Sequence, residues 1–212
     1  GYQPATEGDR AMNQSSRRWI TTLAPPLVLL LLTVVVWQLA VILLEIKPYL
    51  LPSPGAVVEA AIKHRGELGS AIWLTGRAAG LGLLVSILLG TATALVFSQS
   101  RVVRRSFYPY AIALQTVPIV AIAPLIVNWF GEGFQSVVLV TVIISLFPVI
   151  TSVTTGLTSI DEGLHDLFQL NQASRWQQLV KLRIPSAIPA LVTGARTAAG
   201  LAVVGAIVGE FF

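Results

Sequence analysis

The sequence contains no cysteine, only two histidines and unusually little charge. Charged residues make up 11% of its 212 positions and hydrophobic residues 54%, whereas a soluble domain usually carries about 25% charged residues. Without cysteine the chain has no disulfide framework and no thiolate metal site. His64 and His165 lie far apart and outside the long apolar runs, so a histidine metal cluster is not indicated. The shortage of charge, together with apolar runs of about 20 residues, predicts a membrane protein.

Motifs for nucleotide binding and for acid–base catalysis are also missing. The sequence has neither the G-x-x-x-x-G-K-[ST] pattern nor a Gly-Lys pair, so it cannot hold ATP phosphates by that route. His165 and Asp166 are adjacent, and adjacent side chains on a helix point apart. We therefore expect no enzyme activity and no cofactor in this chain.

Five apolar runs predict an all-α protein that crosses the membrane several times. Each run is long enough, at about 1.5 Å per residue, to cross roughly 30 Å of hydrocarbon. Backbone groups in lipid must be paired internally, which favours helices, and the period-two alternation of a barrel is not found. The predicted spans cover residues 23–46, 71–97, 108–130, 134–157 and 188–212.

Basic residues in the loops predict the orientation, because Lys and Arg are enriched on the cytoplasmic side. Nine lie in the N-terminal segment and the loops after spans two and four, and three lie in the loop after span one. The nine are Arg10, Arg17, Arg18, Arg101, Arg104, Arg105, Arg175, Lys181 and Arg183, and the three are Lys47, Lys63 and Arg65. The N-terminus is therefore predicted to be cytoplasmic, with residues 1–20 as a flexible tail and residues 21–212 as the membrane domain.

Two pairs of glycines at a spacing of four predict close helix packing. Gly76 and Gly80 lie in span two, and Gly205 and Gly209 lie in span five. Small residues at this spacing let helices approach closely in lipid.

Two arginines, Arg77 and Arg196, lie in or at the edge of predicted spans. We expect them near a membrane boundary, where the favoured interpretation is that their side chains reach towards the headgroups. The alternative is that they attract an anionic solute.

Span three carries the residues of a broken helix. Pro118 and Pro124 interrupt it, and Gln115, Thr116 and Asn128 supply polar groups. Irregular helices in membranes are tolerated where protein or a water-filled path covers them, and transport paths often use them. These five residues are our candidates for lining a translocation path, the alternative being a structural kink.

The loop between spans four and five predicts two short helices. Ser159 and Glu162 fit a capping box, so the first helix would begin near Ile160, and Ser174 is a plausible N-cap for the second. Leu164, Leu167, Phe168 and Leu170 would form the apolar side of the first helix. Such a loop could lie on the membrane, pack against its own bundle or dock into a groove on a partner protein.

At these residues the chain resembles the permeases of bacterial ABC importers. Their coupling loop carries Glu-Ala-Ala, three residues, Gly, and about nine residues later Ile/Leu-Pro. The stretch "DLFQLNQASRWQQLVKLRIP" has Asp166, Leu167 and Phe168 at the Glu-Ala-Ala positions and Gln172 at the Gly position. Further resemblance lies in "LPSPGAVV" from Leu51 and "QTVPIVAIAPLIVNWFG" from Gln115. The resemblance implies an ATPase-coupling role for Asp166, Leu167, Phe168, Gln172, Ala173, Ser174, Arg175, Trp176 and Pro185.

The resemblance also implies the fold, the location, the partners and the solute class of the whole transporter. We expect a type I ABC importer fold in the bacterial inner membrane, with the coupling loop at about residues 158–187 and a sixth, C-terminal span missing. The partners would be a second permease subunit, as a homodimer, two ATPase subunits carrying ATP and Mg, an extracytoplasmic solute-binding protein and membrane lipid, but no nucleic acid. The solute would be a small anion, such as nitrate, bicarbonate or a sulfonate, or a pyrimidine or flavin vitamin precursor.

Two other functions fit the composition. A membrane scaffold or signalling protein could hold a cytoplasmic partner through the same loop. A polytopic membrane enzyme would need paired polar groups at one depth in the spans, and the sequence offers none.

Overall fold

The computed structural model describes the backbone of residues 7–212 and the side chains of residues 24–212, apart from that of His165. Every regular element in this part of the chain is helical. The helices are α1 (Glu7–Leu43), α2 (Pro54–Lys63), α3 (Arg65–Gln99), α4 (Arg101–Gln115), α5 (Ile119–Phe130), α6 (Phe134–Thr158), α7 (Glu162–Leu170), α8 (Arg175–Gln178) and α9 (Ile184–Phe211), with a π-helical segment, Leu179–Arg183, between α8 and α9. The chain divides into two compact units, 1–68 and 69–212.

The first unit contains α1 and α2. Within α1, Ala24–Leu43 is apolar enough to span a membrane, and none of it is buried within the chain, as expected of a helix that faces lipid. Because α1 begins at Glu7, the predicted tail is helical from that residue onward, while residues 1–6 lie outside the described residues. Ser53 caps α2 by accepting the N–H of Ala56 at 3.2 Å.

In the second unit α6 packs against both α3 and α9 through small residues. On α3 these residues recur every four positions, at Ala78, Gly82, Ser86, Gly90 and Ala94. The Ser86 hydroxyl donates to the carbonyl of Val142 at 3.0 Å, fully buried. On α9 the buried residues are mostly Gly and Ala as well. Close approach of backbones is how helices associate in lipid, where burial of apolar surface gives no driving force between them.

The two predicted glycine pairs have different surroundings. A Cβ on Gly205 would lie 2.9 Å from the Cα of Thr141, and one on Gly209 would lie 3.0 Å from the Cα of Val137, so both glycines permit close contact with α6. Gly76 and Gly80 have open space at that position, so the expectation of packing at this pair is not met within the chain. The glycines of α3 that contact α6 lie further along the helix, at Gly82 and Gly90.

The predicted third span is two helices bent by 97°. The break lies at Thr116–Pro118, where Pro118 provides no N–H to continue α4. Pro124 was expected to interrupt the span as well, but α5 continues through it to Phe130. Four helices in the described part of the chain are long and apolar enough to cross a membrane, or five if the bent pair is one span. The two long helices that begin at Arg65 and at Arg175 extend several residues beyond the predicted spans.

Candidate functional site

The first helix of the loop between α6 and α9 begins later than the sequence predicts. The side chain of Asp161 caps α7 by accepting the N–H of Leu164 at 3.1 Å. Ser159 was the predicted cap, but its own N–H donates to the carbonyl of Thr155 at 2.8 Å and it ends α6 instead. The prediction was wrong because α7 begins at Glu162, and the N-cap position directly before it is Asp161 and not Ser159.

The end of α7 explains the residue that replaces the family's glycine. Gln172 has φ = 49°, in the left-handed region. Its N–H donates to the carbonyl of Gln169 at 2.9 Å, and the N–H of Ala173 donates to the carbonyl of Phe168 at 3.0 Å. These two bonds form a Schellman motif, in which the left-handed position is usually glycine. Gln172 therefore keeps the backbone turn that glycine adopts readily, at the cost of placing a side chain there.

The second helix of the loop begins with a complete capping box. The Ser174 hydroxyl accepts the N–H of Gln177 at 3.2 Å, and the Gln177 side chain accepts the N–H of Ser174 at 2.8 Å. The predicted cap at Ser174 is thus present. The amide of Gln178 also donates to the carbonyl of Ala173 at 3.0 Å, so a dense set of local bonds fixes the turn between α7 and α8.

The loop presents apolar side chains to the outside of the chain. Leu164 and Leu167 are exposed, Leu170 is 82% exposed and Trp176 is 71% exposed, while Phe168 is half-buried. Of the four residues expected on one apolar side, none is therefore buried against the bundle. Arg175 and Trp176 also line an apolar groove of about 550 Å³ together with Leu95, Val96, Gln99, Leu179 and Ile184. We call the exposed side chains of Leu164, Leu167, Leu170, Arg175 and Trp176 the loop surface.

A polar cavity of about 480 Å³ lies beside the loop surface. Asp166 and Glu162 line it from α7, and Arg101, Arg104 and Arg183 line it from α4 and the π-helical segment. Arg183 also donates to the carbonyl of Ser98 at 3.1 Å, which joins the start of α9 to the end of α3. No local pattern in the sequence predicts this juxtaposition, because α4, α7 and the π-helical segment meet only in the folded chain.

The remaining predicted residues are distributed over the bundle. Pro185 lies in the first turn of α9 and is exposed. Gln115, Thr116 and Pro118 come together at the α4–α5 break, beside a cavity of about 200 Å³ that Leu201 of α9 also lines. Asn128 and Pro124 are exposed further along α5, and Asn128 is near its C-terminal end. The five path candidates therefore do not form one cluster.

The two arginines of the spans differ in position. The guanidinium of Arg77 lies 5.5 Å from the ring centroid of Phe134, at the start of α6, which fits the expected place at a membrane boundary. Arg196 lies near the middle of α9. The helix that is continuous from Arg175 thus places Arg196 further from a helix end than the predicted span does, and its distance from a membrane boundary stays a prediction.

No group of three or more His, Asp or Glu side chains that could hold a metal ion occurs in the described part of the chain.

Residues 82–212 match the protein-family model described as the binding-protein-dependent transport system inner membrane component. This match covers more than half of the chain. The chain belongs to this family.

Curated relatives agree with the family. The permease is 36% identical over 191 residues to the formylaminopyrimidine transport permease protein ThiX of Halalkalibacterium halodurans, covering 88% of this chain and 74% of that protein. It is 35% identical to the riboflavin transport system permease protein RibX of Chloroflexus aurantiacus, over 87% of this chain and 69% of that protein. It is 26% identical to the putative aliphatic sulfonates transport permease protein SsuC of Bacillus subtilis, over 99% of this chain and 76% of that protein.

The resemblance inferred from the loop is thereby confirmed. The chain is a multi-pass permease subunit of a binding-protein-dependent ABC importer, with the type I transmembrane fold of that family. It is a transport subunit of that importer family. The scaffold or signalling alternative receives no support from the family or the relatives.

Proposed function

We propose that this permease forms one half of a homodimer, with its N-terminus in the cytoplasm, and that it imports a heterocyclic vitamin precursor. Two ATPase subunits, which hold ATP and Mg, bind at the loop surface from the cytoplasm. An extracytoplasmic binding protein delivers the solute. This chain contributes the membrane path and the coupling elements, and the partners contribute hydrolysis.

The observation that carries the proposal is the exposed loop surface. Apolar side chains and an Arg–Trp pair stand out from two short helices whose backbone is fixed by caps and a Schellman turn. Tryptophan and arginine are the side chains most often found at interface hot spots, and a fixed backbone reduces the entropy lost on docking. The predicted excess of Lys and Arg on this side supports a cytoplasmic position.

The helices indicate how movement at the loop surface would reach the path. From Arg175 to Phe211 the chain is one uninterrupted helical element, including the π-helical segment. Leu179 and Leu182 of that segment are buried, and Arg183 is bonded to the end of α3. A displacement of α8 by closing ATPase subunits would therefore move α9, and with it the contact between α9 and α6.

The solute class is inferred from the relatives. The two relatives described above with identities of 35% or more are named for formylaminopyrimidine and riboflavin, and the one named for aliphatic sulfonates is 26% identical. Both of the first two solutes are nitrogen heterocycles with hydrogen-bond acceptors on the ring. We therefore favour a pyrimidine-type or flavin-type precursor. A sulfonate or another small anion is the second candidate, because Arg196 places a cation in α9.

The test is reconstitution of the whole transporter. We expect the permease to copurify with its ATPase subunits and, in proteoliposomes with the binding protein, to hydrolyse ATP faster when solute is present. Thermal-shift screening of the binding protein with a pyrimidine precursor, riboflavin, taurine and nitrate would identify the solute beforehand. ATP hydrolysis without uptake of any solute bound by the binding protein would refute the assignment. Stabilisation by taurine or nitrate alone would replace the heterocycle by the anion.

A further inference from the structure

Arg196 lies deep in the membrane-spanning part of the bundle. The antiparallel contacts of α9 with α6 place Gly209 beside Val137, Gly205 beside Thr141 and Gly194 beside Ser152. This register puts Arg196 level with about Ile150, roughly four residues from the middle of α6 (Phe134–Thr158). At about 1.5 Å per residue its Cα is roughly 12 Å below the cytoplasmic end of α6. A charged side chain at such depth costs about 2.5–3.5 kcal/mol or more if it faces lipid.

The face of α9 that carries Arg196 does not resemble a lipid-facing surface. Thr193 and Gly200 are three and four residues from Arg196, and Thr197 is four residues from Thr193. These residues share one face, which points away from the buried Gly194 and Ala198 on the α6 side. Ser186 extends this polar face towards the cytoplasmic end, and all five residues are exposed within the chain. The lipid-facing part of α1, by contrast, reads "LVLLLL" from Leu27.

The same face changes character in the outer half of α9. Val203, Val204 and Ile207 are exposed there, and they continue the face at helical spacing. The polar residues of this face thus lie in its cytoplasmic half, where Val192 and Ile188 are exposed beside them, and the next two turns expose Val203, Val204 and Ile207. This is the pattern expected of a helix whose cytoplasmic half borders a water-filled path and whose outer half packs against apolar side chains that seal that path.

The guanidinium of Arg196 has no counter-ion in the described part of the chain. The hydroxyls of Thr193 and Thr197 donate to the carbonyls of Pro189 and Thr193 at 3.0 and 3.2 Å, so their protons are already used. Within residues 1–212, no acid lies at the middle of a predicted span, so none of them is placed level with Arg196. The ten acids are Glu7, Asp9, Glu45, Glu59, Glu67, Glu132, Asp161, Glu162, Asp166 and Glu210.

We infer that Arg196 is the solute-binding cation of the translocation path, near the end of the polar face of α9 that lies deepest in the membrane. This inference rests on the proposed function and names the chemistry of its solute. The guanidinium offers N–H donors in a fixed planar fork, which fits a group with two adjacent acceptors. The N–C=O edge of a pyrimidine or flavin ring and the oxygens of a sulfonate share that chemistry. Unpaired cations within membrane spans mark such paths, because lipid would not tolerate them.

The first experiment tests whether the face borders water. Since the chain has no cysteine, Thr193→Cys and Gly200→Cys can be labelled selectively with a membrane-impermeant thiosulfonate in the assembled transporter. We expect both to react at least tenfold faster than Leu30→Cys, which lies on the lipid-facing helix α1. Equal, slow reaction at all three positions would overturn the inference.

The second experiment tests the contact with solute in reconstituted transporter, using Arg196→Gln, Arg196→Lys and, as a matched control, Lys63→Gln on α2. We expect Arg196→Gln to lower uptake at least tenfold at saturating binding protein and Lys63→Gln to leave it within twofold. With taurine as the probe, Arg196→Lys should retain more uptake than Arg196→Gln, because it keeps the charge. With riboflavin or the pyrimidine precursor, Arg196→Lys should retain no more than Arg196→Gln, because the planar donor pair is lost.

The outcomes separate this inference from the proposed function. Uptake within twofold of wild type in both Arg196 variants would overturn the role of Arg196 while leaving the importer intact. A wild-type complex that fails to couple uptake to ATP hydrolysis would contradict the proposed function itself. If Arg196→Gln fails to assemble, the labelling of Thr193→Cys, in which Arg196 is present, still decides whether the face borders water.

Discussion

In the α3–α6–α9 bundle, neighbouring backbones approach so closely that several positions have no room for a side chain. In the α7–α8 loop, the backbone is fixed by hydrogen bonds to its own caps, and large apolar side chains point away from the bundle. The bundle therefore depends on contacts between helices that are distant in sequence, and the loop depends on contacts within about 15 residues. Substitutions in the two regions should have different effects, the first on assembly of the permease and the second on its coupling to partners.

The largest effect is expected at the closest backbone contact of α9. Gly205→Leu would force a side chain against the Cα of Thr141, which a Cβ alone would approach to 2.9 Å. Because backbone cannot move aside as a side chain can, we expect a loss of more than about 3 kcal/mol, the upper range for overpacking. The yield of monodisperse protein in detergent and its thermal stability measure this loss.

Gly76→Leu is the matched control, because a Cβ there meets no atom within 4 Å. Its effect within the chain should be that of a surface substitution, about 0.5 kcal/mol or less. Equal losses in the two variants would mean that close packing of α9 on α6 does not distinguish them.

The next largest effect is expected on coupling at the loop surface. Arg175→Glu or Trp176→Ala should lower solute uptake at least tenfold while ATP hydrolysis no longer responds to solute, because both remove side chains proposed to contact the ATPase subunits. The amount of inserted permease should not change, since both side chains are exposed. Uptake and hydrolysis in the same proteoliposomes measure the coupling.

Trp73→Ala serves as the control for Trp176→Ala, because Trp73 is 69% exposed and lies near the other end of α3. Wild-type coupling in both loop variants would remove the docking assignment. Loss of coupling in Trp73→Ala as well would show that any exposed tryptophan matters.

A smaller effect is expected at the capping box of α8. Ser174→Ala removes the acceptor of the Gln177 N–H, and such a loss costs about 1 kcal/mol. Hydrogen exchange at residues 175–178 should then be about fivefold faster, with no change in the bundle helices. Ser174→Asn keeps an N-cap acceptor and should retain most of the protection. Equal exchange in the alanine and asparagine variants would contradict the cap.

Local signals in the sequence predicted the local features. The apolar runs identified the spans, and Ser174 predicted the N-cap that the structure contains. The left-handed turn at Gln172 could be expected only from the resemblance, because glutamine carries no propensity for it. The packing face of α3 is also marked in the sequence by small residues every four positions, at Ala78, Gly82, Ser86, Gly90 and Ala94. The prediction named the neighbouring pair Gly76 and Gly80 instead.

Features that depend on which elements meet could not be predicted. The 97° bend at Pro118 and the continuation of α5 through Pro124 involve the same residue type in similar sequence. The outcome is set by what packs around each proline. The polar cavity between α7 and α4 combines residues about 60 positions apart. Arg196 lies further from the end of its helix than predicted, because the predicted start of the last span left out the polar but helical stretch from Arg175.

The smallest effect is expected at Gln172, and it bears most directly on how the loop departs from its family. A residue with a side chain pays about 1 kcal/mol or more for the left-handed conformation that glycine adopts freely, and Gln172 has φ = 49°. Gln172→Gly should therefore stabilise the turn by about 1 kcal/mol and slow hydrogen exchange in the last turn of α7 by about fivefold. Asn171→Gly is the contrasting variant: φ there is −83°, so glycine relieves no strain, and it removes the bond from the Asn171 amide to the carbonyl of Leu167 at 2.8 Å, so exchange should be faster and not slower. Faster exchange in Gln172→Gly than in the wild type would mean that the glutamine side chain contributes a contact to the turn. If instead the turn is stabilised and coupling is unchanged, the family's glycine at this position serves the backbone of the loop and not the surface proposed to meet the ATPase.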